Sequence, residues 1–416
     1  MKKGWEIKKL GEVCIVERGS SPRPIEKYQT DSSDGVNWIK IGDTKGVDKY
    51  IYKTKEKITK EGAEKSRYVK EGDFILSNSM SFGNPYIMKT DGYIHDGWFV
   101  FRLPDYLDKD YFYYLLTSPT VQKQIQSLGA GAIVKNISGD LVKKVDITYP
   151  KSLPEQQRIV AILDEAFAAI AKAKANAQQN LKNAKELFES YLQGVFENGN
   201  WEKVKLSELA KDITDGDHMP PPKSEDGFPF ITISNINKQD RQIDFSDTFK
   251  VPKEYFDKLK ENRRPKKGDV LYTVTGSYGI PVLIEGDFEF CFQRHIGLIR
   301  PKDNVSSKWL YYWILSPNAI FQANDTATGT AQKTVSLTAL RNFVLPKMTL
   351  KQQQTIVQKL DALSAETKKL ESIYQQKLND LEELKKSVLQ KAFSGELSSP
   401  EGVIDANDGH SPSKRV

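Results

Sequence analysis

Hydrophobic and polar positions follow two different patterns along this chain. In residues 1–150 and 200–349, short alternating apolar stretches are separated by Gly-Asp pairs and proline-containing turns, which is typical of β-strands. We predict strands at NWIKIGD, DFILSNS, WFVFRL, FPFITIS, DVLYTVT and IGLIRP. One helix is predicted in each region, near DKDYFYYLLTSPTVQKQIQSL and near SSKWLYYWILSPNAIFQA. Both regions are therefore expected to be mixed α and β, with β dominant.

The regions 151–199 and 350–397 have a helical pattern instead. Apolar or small residues recur in steps of three and four, with one irregular step after Ala177 and another after Tyr374. Pro154 suits the first turn of a helix, where its missing N–H is not needed. We predict a coiled-coil seam made by Ile159, Leu163, Ile170, Leu181, Ile356, Leu360, Leu363, Leu370, Leu378 and Leu381.

Each helix could simply cover its own domain. A helix of ~40 residues is ~60 Å long, however, which exceeds the width of a ~150-residue domain. The first helical region ends where the second β-rich region begins, and the second helix follows that region. We therefore expect an antiparallel coiled-coil spacer with approximate two-fold symmetry.

The whole chain is duplicated. LPEQQRIVAILD at 153–164 matches LKQQQTIVQKLD at 350–361, and KEGDFILSNSMSFGNP at 70–85 matches KKGDVLYTVTGSYGIP at 266–281. The matches keep the same order in both halves, and their period is far longer than the ~20–50 residues of a solenoid repeat. The fold class is therefore predicted to be α+β, a duplicated unit of a β-rich domain followed by a long helix. The predicted division is 1–150, 151–199, 200–349, 350–397 and a polar, disordered tail at 398–416.

Charge and composition restrict the function only weakly. The net charge is +6, and the excess lies in the β-rich regions, with 24 basic against 20 acidic residues in 1–150 and 21 against 19 in 200–349. This surplus permits nucleic-acid binding without requiring it. Two cysteines and four scattered histidines predict neither a disulfide framework nor a metal site. No apolar stretch approaches the ~20 residues of a membrane span, and MKKGWEIKKLGE does not look like a signal peptide, so we expect a cytoplasmic protein.

Catalytic motifs are missing from the sequence. It contains no phosphate-binding loop of the GxxxxGK[ST] type and no GxSxG elbow. Asn84-Pro85-Tyr86 partly matches the Asn/Asp-Pro-Pro-aromatic stretch of DNA-adenine methyltransferases, but one proline is missing. The second half has Gly279-Ile280-Pro281 at this place, which favours a structural turn. Gly129-Ala130-Gly131 follows no predicted strand and is interpreted as a loop.

The ordered, duplicated motifs resemble the specificity subunit of type I restriction–modification enzymes over residues 4–397. The similarity lies in WEIKKLGEV and WEKVKLSEL, GDFILSN and GDVLYTV, GAIVKNIS and GTAQKTVS, and the two EQQRIVAILD-like helix starts. The second copy departs from the pattern at its first helical turn, with Lys351-Gln352 where the first has Pro154-Glu155. The resemblance implies a non-catalytic subunit whose two target-recognition domains each read half of a bipartite site in double-stranded DNA.

The same resemblance implies the partners and their cofactors. The long helices would set the spacing of the half-sites and dock two modification subunits, which carry S-adenosylmethionine and methylate adenine. Restriction subunits using ATP and Mg²⁺ could join them, so no cofactor is expected in this chain. Two alternatives stay open: a protein–protein adaptor with two β-rich heads, and a self-sufficient DNA-adenine methyltransferase.

Candidate DNA-binding residues are those whose side chains suit base edges or phosphates and that occur in loops at equivalent places of the two halves. They are Arg18, Ser20, Ser21, Arg23, Ser77, Asn78, Ser79, Ser81, Lys135, Asn136, His218, Lys223, Thr275, Ser277, Tyr278, Gln293, Arg294, His295, Gln332 and Lys333. Equivalent residues such as Lys135 and Lys333 are better candidates for phosphate contact. Positions that differ, such as Asn78 and Val274, could determine the choice of base. His295 could equally be a core histidine, because it precedes the strand IGLIR.

Overall fold

The computed structural model describes residues 3–78, 83–128 and 138–397. The chain separates into two compact units, one of Met1–Asn176 with Lys377–Val416 and the other of Ala177–Gln376. We call the globular part of the first unit, up to residue 150, the first head, and residues 200–349 of the second unit the second head. Both long helices are divided at the unit boundary, so each unit contains one half of each helix.

The first head contains three sheets, with strand orders β2-β10-β7-β8-β4, β5-β3-β9-β6 and β1-β11. The strands are β1 Trp5–Lys9, β2 Ile15–Arg18, β3 Val36–Ile39, β4 Tyr50–Ile51, β5 Glu56–Ile58, β6 Arg67–Val69, β7 Phe74–Ser77, β8 Pro85–Met88, β9 Gly92–Ile94, β10 Trp98–Arg102 and β11 Asp146–Pro150. The helices are α1 Leu10–Val13, α2 Lys60–Glu64, α3 Lys109–Thr117, α4 Pro119–Leu128 and α5 Gly139–Val142, followed by the long helix α6 Leu153–Glu197. Short 3₁₀ turns lie at Ile25–Lys27 and Ile41–Thr44.

The second head repeats this plan, with strand orders β13-β19-β16-β17, β15-β14-β18 and β12-β20. Its strands are β12 Lys203–Lys205, β13 Ala210–Asp215, β14 Phe228–Ile231, β15 Phe249–Val251, β16 Val270–Thr273, β17 Pro281–Leu283, β18 Cys291–Phe292, β19 Ile296–Pro301 and β20 Val344–Pro346. Its helices are α7 Leu206–Leu209, α8 Lys253–Asp257, α9 Ser307–Leu315, α10 Pro317–Thr326 and α11 Leu337–Arg341, followed by the long helix α12 Leu350–Ser394. 3₁₀ turns lie at Ile233–Asn235 and Glu261–Arg263.

The duplicated α+β layout predicted from the sequence is confirmed. The six predicted strands correspond to β3, β7, β10, β14, β16 and β19, and a helix of 45 residues follows each head. In both heads a strongly apolar strand lies in the interior of the sheet, since β10 lies between β2 and β7, and β19 lies between β13 and β16. No described helix has the combined length and apolar character that a membrane-spanning segment requires.

The prediction of a single helix within each head is wrong. The structure has two consecutive helices there, α3 and α4 in the first head and α9 and α10 in the second, and each pair is separated by one serine before a proline. Ser118 and Ser316 have extended backbones, with ψ of 145° and 152°, since the residue before a proline is disfavoured in a helix. Each serine then caps the next helix: the hydroxyl of Ser118 accepts from the N–H of Val121, and that of Ser316 from the N–H of Ala319, both at 3.4 Å.

A buried glutamine anchors the start of each long helix. The Gln156 side-chain oxygen accepts from the backbone N–H of Asp108 at 2.7 Å, and its amide donates to the carbonyls of Tyr106 and Pro150. Gln353 does the same in the second unit, accepting from the N–H of Ser306 at 2.7 Å and donating to a neighbouring carbonyl. The repeated glutamine motif therefore fixes each long helix to the helical hairpin of its own head.

Within the first unit, the two helix halves pack antiparallel. Ile159 and Leu163 of α6 share one core with Leu389 and Phe393 of α12. Farther along, the Lys174 and Glu382 side chains form an ion pair. Ile170, Leu378 and Leu381, also predicted in the seam, are half-buried. The order of these contacts, with numbers rising in one helix and falling in the other, is that of an antiparallel pair.

Within the second unit, the apolar stripe of α6 departs from the predicted one. The steps of three and four residues predict that Tyr191 lies on this stripe, but Tyr191 is 38% exposed, whereas Leu192 and Phe196 are buried. The stripe of a straight helix drifts by ~20° per heptad, and Phe196 turns toward the second head, where its ring lies 6.1 Å from that of Trp309. In α12, Leu360 is fully buried, but Leu370 is 36% exposed, so its assignment to a buried seam is wrong for the same geometric reason. Of the other predicted seam residues, Leu181, Ile356 and Leu363 are half-buried.

Candidate nucleic-acid interface

In the first head, the loop after β2 lies directly against the turn that joins β9 to β10. The backbone N–H of Gly19 donates to the carbonyl of Trp98 at 2.8 Å. A Cβ at residue 19 would lie 2.0 Å from the His95 carbonyl oxygen, so only glycine permits this approach. The predicted loop residues 18–23 are thereby held beside residues 95–97.

Asp96 holds this loop together. The Ser21 hydroxyl donates to its carboxylate at 2.6 Å, Arg23 pairs with it at 3.4 Å, and the Arg18 Nε donates to its carbonyl at 3.1 Å. The hydrogen bond from Ser21 lowers the pKa of the Asp96 carboxyl, against the opposing effect of burial. Ser20 is bound elsewhere, since its hydroxyl donates to the Lys65 carbonyl. The Arg23 side chain is 79% exposed, so it keeps donors free for a ligand.

Behind Arg23 lies a cleft with an apolar floor and a charged rim, in which Glu26 lies beside the basic residues and Lys40 is paired with Glu56 at 2.8 Å. Trp38, Ile25 and His95 line it together with Lys40 and Arg23. The His95 ring lies 6.1 Å from that of Trp38, and its Nδ1 accepts from the Gly97 N–H at 2.8 Å. Burial lowers the pKa of His95, which favours the neutral ring. Trp38 and Lys40 were not among the sequence candidates, because strand β3 brings them here from a segment interpreted as core.

The candidates at the end of β7 face inward. Ser77 and Asn78 have no exposed surface, and the Ser77 hydroxyl accepts from the Asn84 N–H at 3.1 Å. Thr273 in the second head does the same with the Ile280 N–H at 2.9 Å. Ser77 and Thr273 therefore make the same hydrogen bond at equivalent places of the two heads. Four further candidates, Ser79, Ser81, Lys135 and Asn136, lie outside the described residues.

In the second head, two loops meet at Asp217. Tyr255 donates to its carboxylate at 2.5 Å, and the Arg294 N–H donates to its carbonyl at 3.1 Å. Burial alone would raise the pKa of Asp217, but the hydrogen bonds from Tyr255 and nearby N–H groups lower it. His218 is exposed and lies 2.9 Å from the carboxylate of Asp215.

The remaining candidates of this region are arranged around these loops. The Lys223 ammonium lies 5.1 Å from the centre of the Phe249 ring. Gln293 and His295 are half-buried and flank the exposed Arg294. Burial and the neighbouring Arg294 lower the pKa of His295, so its ring is expected to be neutral at pH 7.

The second head also contains a polar groove, which we call the Gln332 groove. It is lined by Ile233, Ser234, Lys238, Thr275, Gly276, Ser277, Ile280 and Gln332. Three of these, Thr275, Ser277 and Gln332, were candidates from the sequence. Ser234 and Lys238 were missed, because they follow β14, far from the other residues in sequence. Nearby, the Tyr278 hydroxyl donates to the Asn324 side chain at 2.8 Å, and Lys333 is exposed.

The charges at one equivalent pair of positions are inverted between the heads. Strand register places Arg18 opposite Phe99 and Asp215 opposite Gly297, and these strands are counterparts. Phe99 and Gly297 are therefore equivalent, and so are Asp96 and Arg294, which each lie three residues before them. The first head therefore has Arg18 and Asp96 where the second has Asp215 and Arg294. The two heads therefore carry different charges at these equivalent positions, which favours different preferences for the hydrogen-bonding groups of a ligand.

In the described part of each head, the candidate residues lie in loops that are held together by hydrogen bonds. Among the described side chains, no group of three or more His, Cys, Asp or Glu residues is placed to hold a metal ion. Exposed arginine, lysine, serine, threonine and glutamine side chains are the types that contact phosphates and base edges.

Comparison with known proteins agrees with the duplicated fold. A family model described as the type I restriction modification DNA specificity domain matches residues 2–182 and again 198–383. The EcoBI specificity subunit of Escherichia coli is 23% identical over 71% of this chain and 67% of its own length. The MjaIX specificity subunit of Methanocaldococcus jannaschii is 27% identical over 51% of this chain and 50% of its own.

Solved structures show the same fold. A chain from a type I restriction–modification system has a TM-score of 0.76 and 20% identity, over 95% of this chain and 99% of that one. The HsdS subunit of Thermoanaerobacter tengcongensis has a TM-score of 0.60 and 20% identity, over 95% and 98%.

Proposed function

Because this chain belongs to the type I restriction–modification DNA-specificity family, in which the specificity subunit recognises DNA and is not itself catalytic, we propose that each head reads one half of a bipartite duplex site. One observation carries this proposal: the two heads share a fold but present different loop clusters at equivalent places. A duplicated frame with matching surfaces would read the same half-site twice. The inversion of Arg18 and Asp96 to Asp215 and Arg294 supports two different half-sites.

The proposed contacts differ in kind between the heads. In the first head, the exposed Arg23 borders a cleft whose floor is Trp38 and Ile25, which suits a phosphate beside an apolar base edge such as a thymine methyl. In the second head, Arg294, Lys333 and the Gln332 groove offer exposed polar groups. Ser77, Asn78 and Thr273 are buried and would act indirectly, by supporting the backbone at the ends of β7 and β16.

The long helices are proposed to set the gap between half-sites and to dock two modification subunits. Their exposed surfaces carry several large apolar side chains, which are typical of protein interfaces. These are Leu187 at 50%, Tyr191 at 38%, Ile373 at 49% and Leu384 at 48% exposure. The modification subunits would supply S-adenosylmethionine, restriction subunits would supply ATP and Mg²⁺ chemistry, and the assembly would work in the cytoplasm.

The decisive experiment is sequencing that detects methylated adenine in cells with and without this chain. We expect methylation at a bipartite motif that disappears when the chain is removed. The complex of this chain with its modification subunits should bind duplex DNA with an affinity that falls steeply as the salt concentration increases. If methylation is unchanged without the chain, and no salt-dependent DNA binding is found, the proposed function is wrong and a protein adaptor becomes the better interpretation.

A further inference from the structure

The Gln332 groove is bordered by a hairpin that is tied firmly to the second head. The backbones of Thr328 and Thr334 exchange two hydrogen bonds, of 3.0 and 2.8 Å. The hairpin is then joined to the segment after β16, because the Val335 N–H donates to the Val274 carbonyl at 2.8 Å and the Gly276 N–H donates to the Lys333 carbonyl at 2.9 Å. Its position is therefore fixed before any ligand binds, which reduces the entropy lost on binding.

Gln332 is the side chain that this hairpin presents to the groove. It is exposed, and no other described group makes a hydrogen bond with its amide. The Gly276 backbone, with φ of 72°, lies so close that a Cβ there would be 2.9 Å from the Gln332 Nε2. By contrast, the amides of Gln156, Gln322 and Gln353 are all bound to backbone groups. The Gln332 amide thus retains both a donor and an acceptor, and the missing side chain of Gly276 leaves the space that this amide occupies.

The chemistry around this amide suits a base edge more than a phosphate. A glutamine amide matches adenine in the major groove, donating to N7 and accepting from the N6 amino group. The neighbouring Ser277 and Ser234 hydroxyls can serve either kind of contact, and Lys238 supplies the cation that a phosphate beside the base requires. Ile233 and Ile280 add apolar surface to the groove, which suits contact with a base.

We propose that Gln332 determines one base of the half-site read by the second head, and that this base is adenine. The proposal rests on the proposed function, since it assumes that the second head reads DNA. It deepens that function by naming the residue, the base and the groove of the duplex.

The test uses the chain assembled with its modification subunits and a library of duplexes randomised at the half-sites. Gln332→Ala should reduce the preference for adenine at one position about ten-fold or more, while the other half-site stays the same. Gln332→Glu, which can only accept, should move the preference at that position toward cytosine, whose amino group donates. Gln239→Ala is the matched control, because Gln239 is exposed on the same head but does not line the groove.

The possible outcomes distinguish a failure of the Gln332 proposal from a failure of the proposed function. If Gln332→Ala leaves the motif unchanged, or weakens methylation equally for every base at every position, Gln332 does not read a base and the inference is overturned, although the proposed function survives. If the wild-type complex has no bipartite motif, the proposed function itself has failed. Melting curves of each variant, expected to match the wild type, exclude unfolding as the cause of a relaxed motif.

Discussion

At the scale of single residues, buried glutamines connect the repeated sequence motif to the fold. Gln156 and Gln353 are exposed by 0% and 1%, and each satisfies backbone groups that the start of a helix leaves without partners. An apolar side chain at these positions would bury the same backbone groups unsatisfied. The repeated glutamine therefore has the same structural role in both copies.

Replacing Gln156 by Ala should lower the stability of the first unit. The Asp108 N–H and the carbonyls of Tyr106 and Pro150 would lose their partner, and each unsatisfied buried group costs about 1–3 kcal/mol. Thermal unfolding should show a melting temperature several degrees lower, at ~2–4 °C per kcal/mol for a unit of this size. The control is Gln157→Ala, at an exposed neighbour. Equal melting of the two variants would show that the Gln156 hydrogen bonds contribute nothing.

The candidate loops could be predicted from the sequence by their residue types, but the sequence could not show which of their side chains face the solvent. Ser77 and Ser21 look alike in sequence, yet Ser77 is buried and Ser21 binds Asp96 at the edge of a cleft. Lys238 and Ser234 reach the Gln332 groove only because β14 places them there. Such contacts depend on the three-dimensional path of the chain, which local pattern does not encode.

At the scale of secondary-structure elements, the hydrophobic pattern predicted an element reliably where that element packs against the same surface along its whole length. Strands β10 and β19 bury nearly all their side chains, so a continuous apolar stretch identified them. The break at Pro119 and Pro317 was missed because the apolar pattern continues across it, even though proline marks the first turn of a new helix. The predicted seam residues of α6 from Ile159 to Leu181 are buried or half-buried, whereas beyond them the second head determines which face is buried.

The buried positions of the long helices should be far more sensitive than the exposed ones. Leu163→Asp and Leu360→Asp would each place an unpaired charge at a site with no solvent exposure, at a cost of several kcal/mol. We expect loss of cooperative unfolding in the unit concerned, measured by calorimetry. Leu187→Asp and Ile373→Asp are the controls on the same two helices, since these side chains are about half exposed. Wild-type melting of both Leu163→Asp and Leu360→Asp would refute the described packing.

At the scale of the whole molecule, duplication makes the two heads separate modules. Each has its own hydrophobic core, one that includes Phe99 and Phe112 and one that includes Tyr272 and Trp313. The target sequence itself could not be derived from the chain, because base contacts depend on loop geometry and on parts of the loops outside the described residues. Modularity can nevertheless be tested without knowing the target.

Exchanging residues 12–150 for the equivalent region of another specificity subunit should change only one half-site. The inverted charges at Asp96 and Arg294 mean that the two heads need not share any base preference. The readout is the methylated motif in cells carrying the exchanged chain. A change in both half-sites would show that the heads do not read independently.

The length of α6 should determine the number of base pairs between the half-sites, if the helices act as the proposed spacer. A helix rises ~1.5 Å per residue and duplex DNA ~3.4 Å per base pair. Four residues inserted after Ala177 would add ~6 Å and about one helical turn, which keeps the apolar stripe close to its original phase. We therefore expect the variant to fold and its preferred gap to grow by one or two base pairs, with both half-site sequences unchanged.

The informative control for this insertion is a two-residue insertion at the same place. Two residues rotate the following part of the helix by about half a turn, so the side of α6 that carries the buried Leu192 and Phe196 would face the solvent. That variant should lose stability, whereas the four-residue variant should keep it. An unchanged gap in a fully active four-residue variant would show that α12 absorbs the insertion and that α6 does not set the spacing. An altered half-site sequence would contradict the proposal more seriously, because it would mean that the long helices take part in recognising bases.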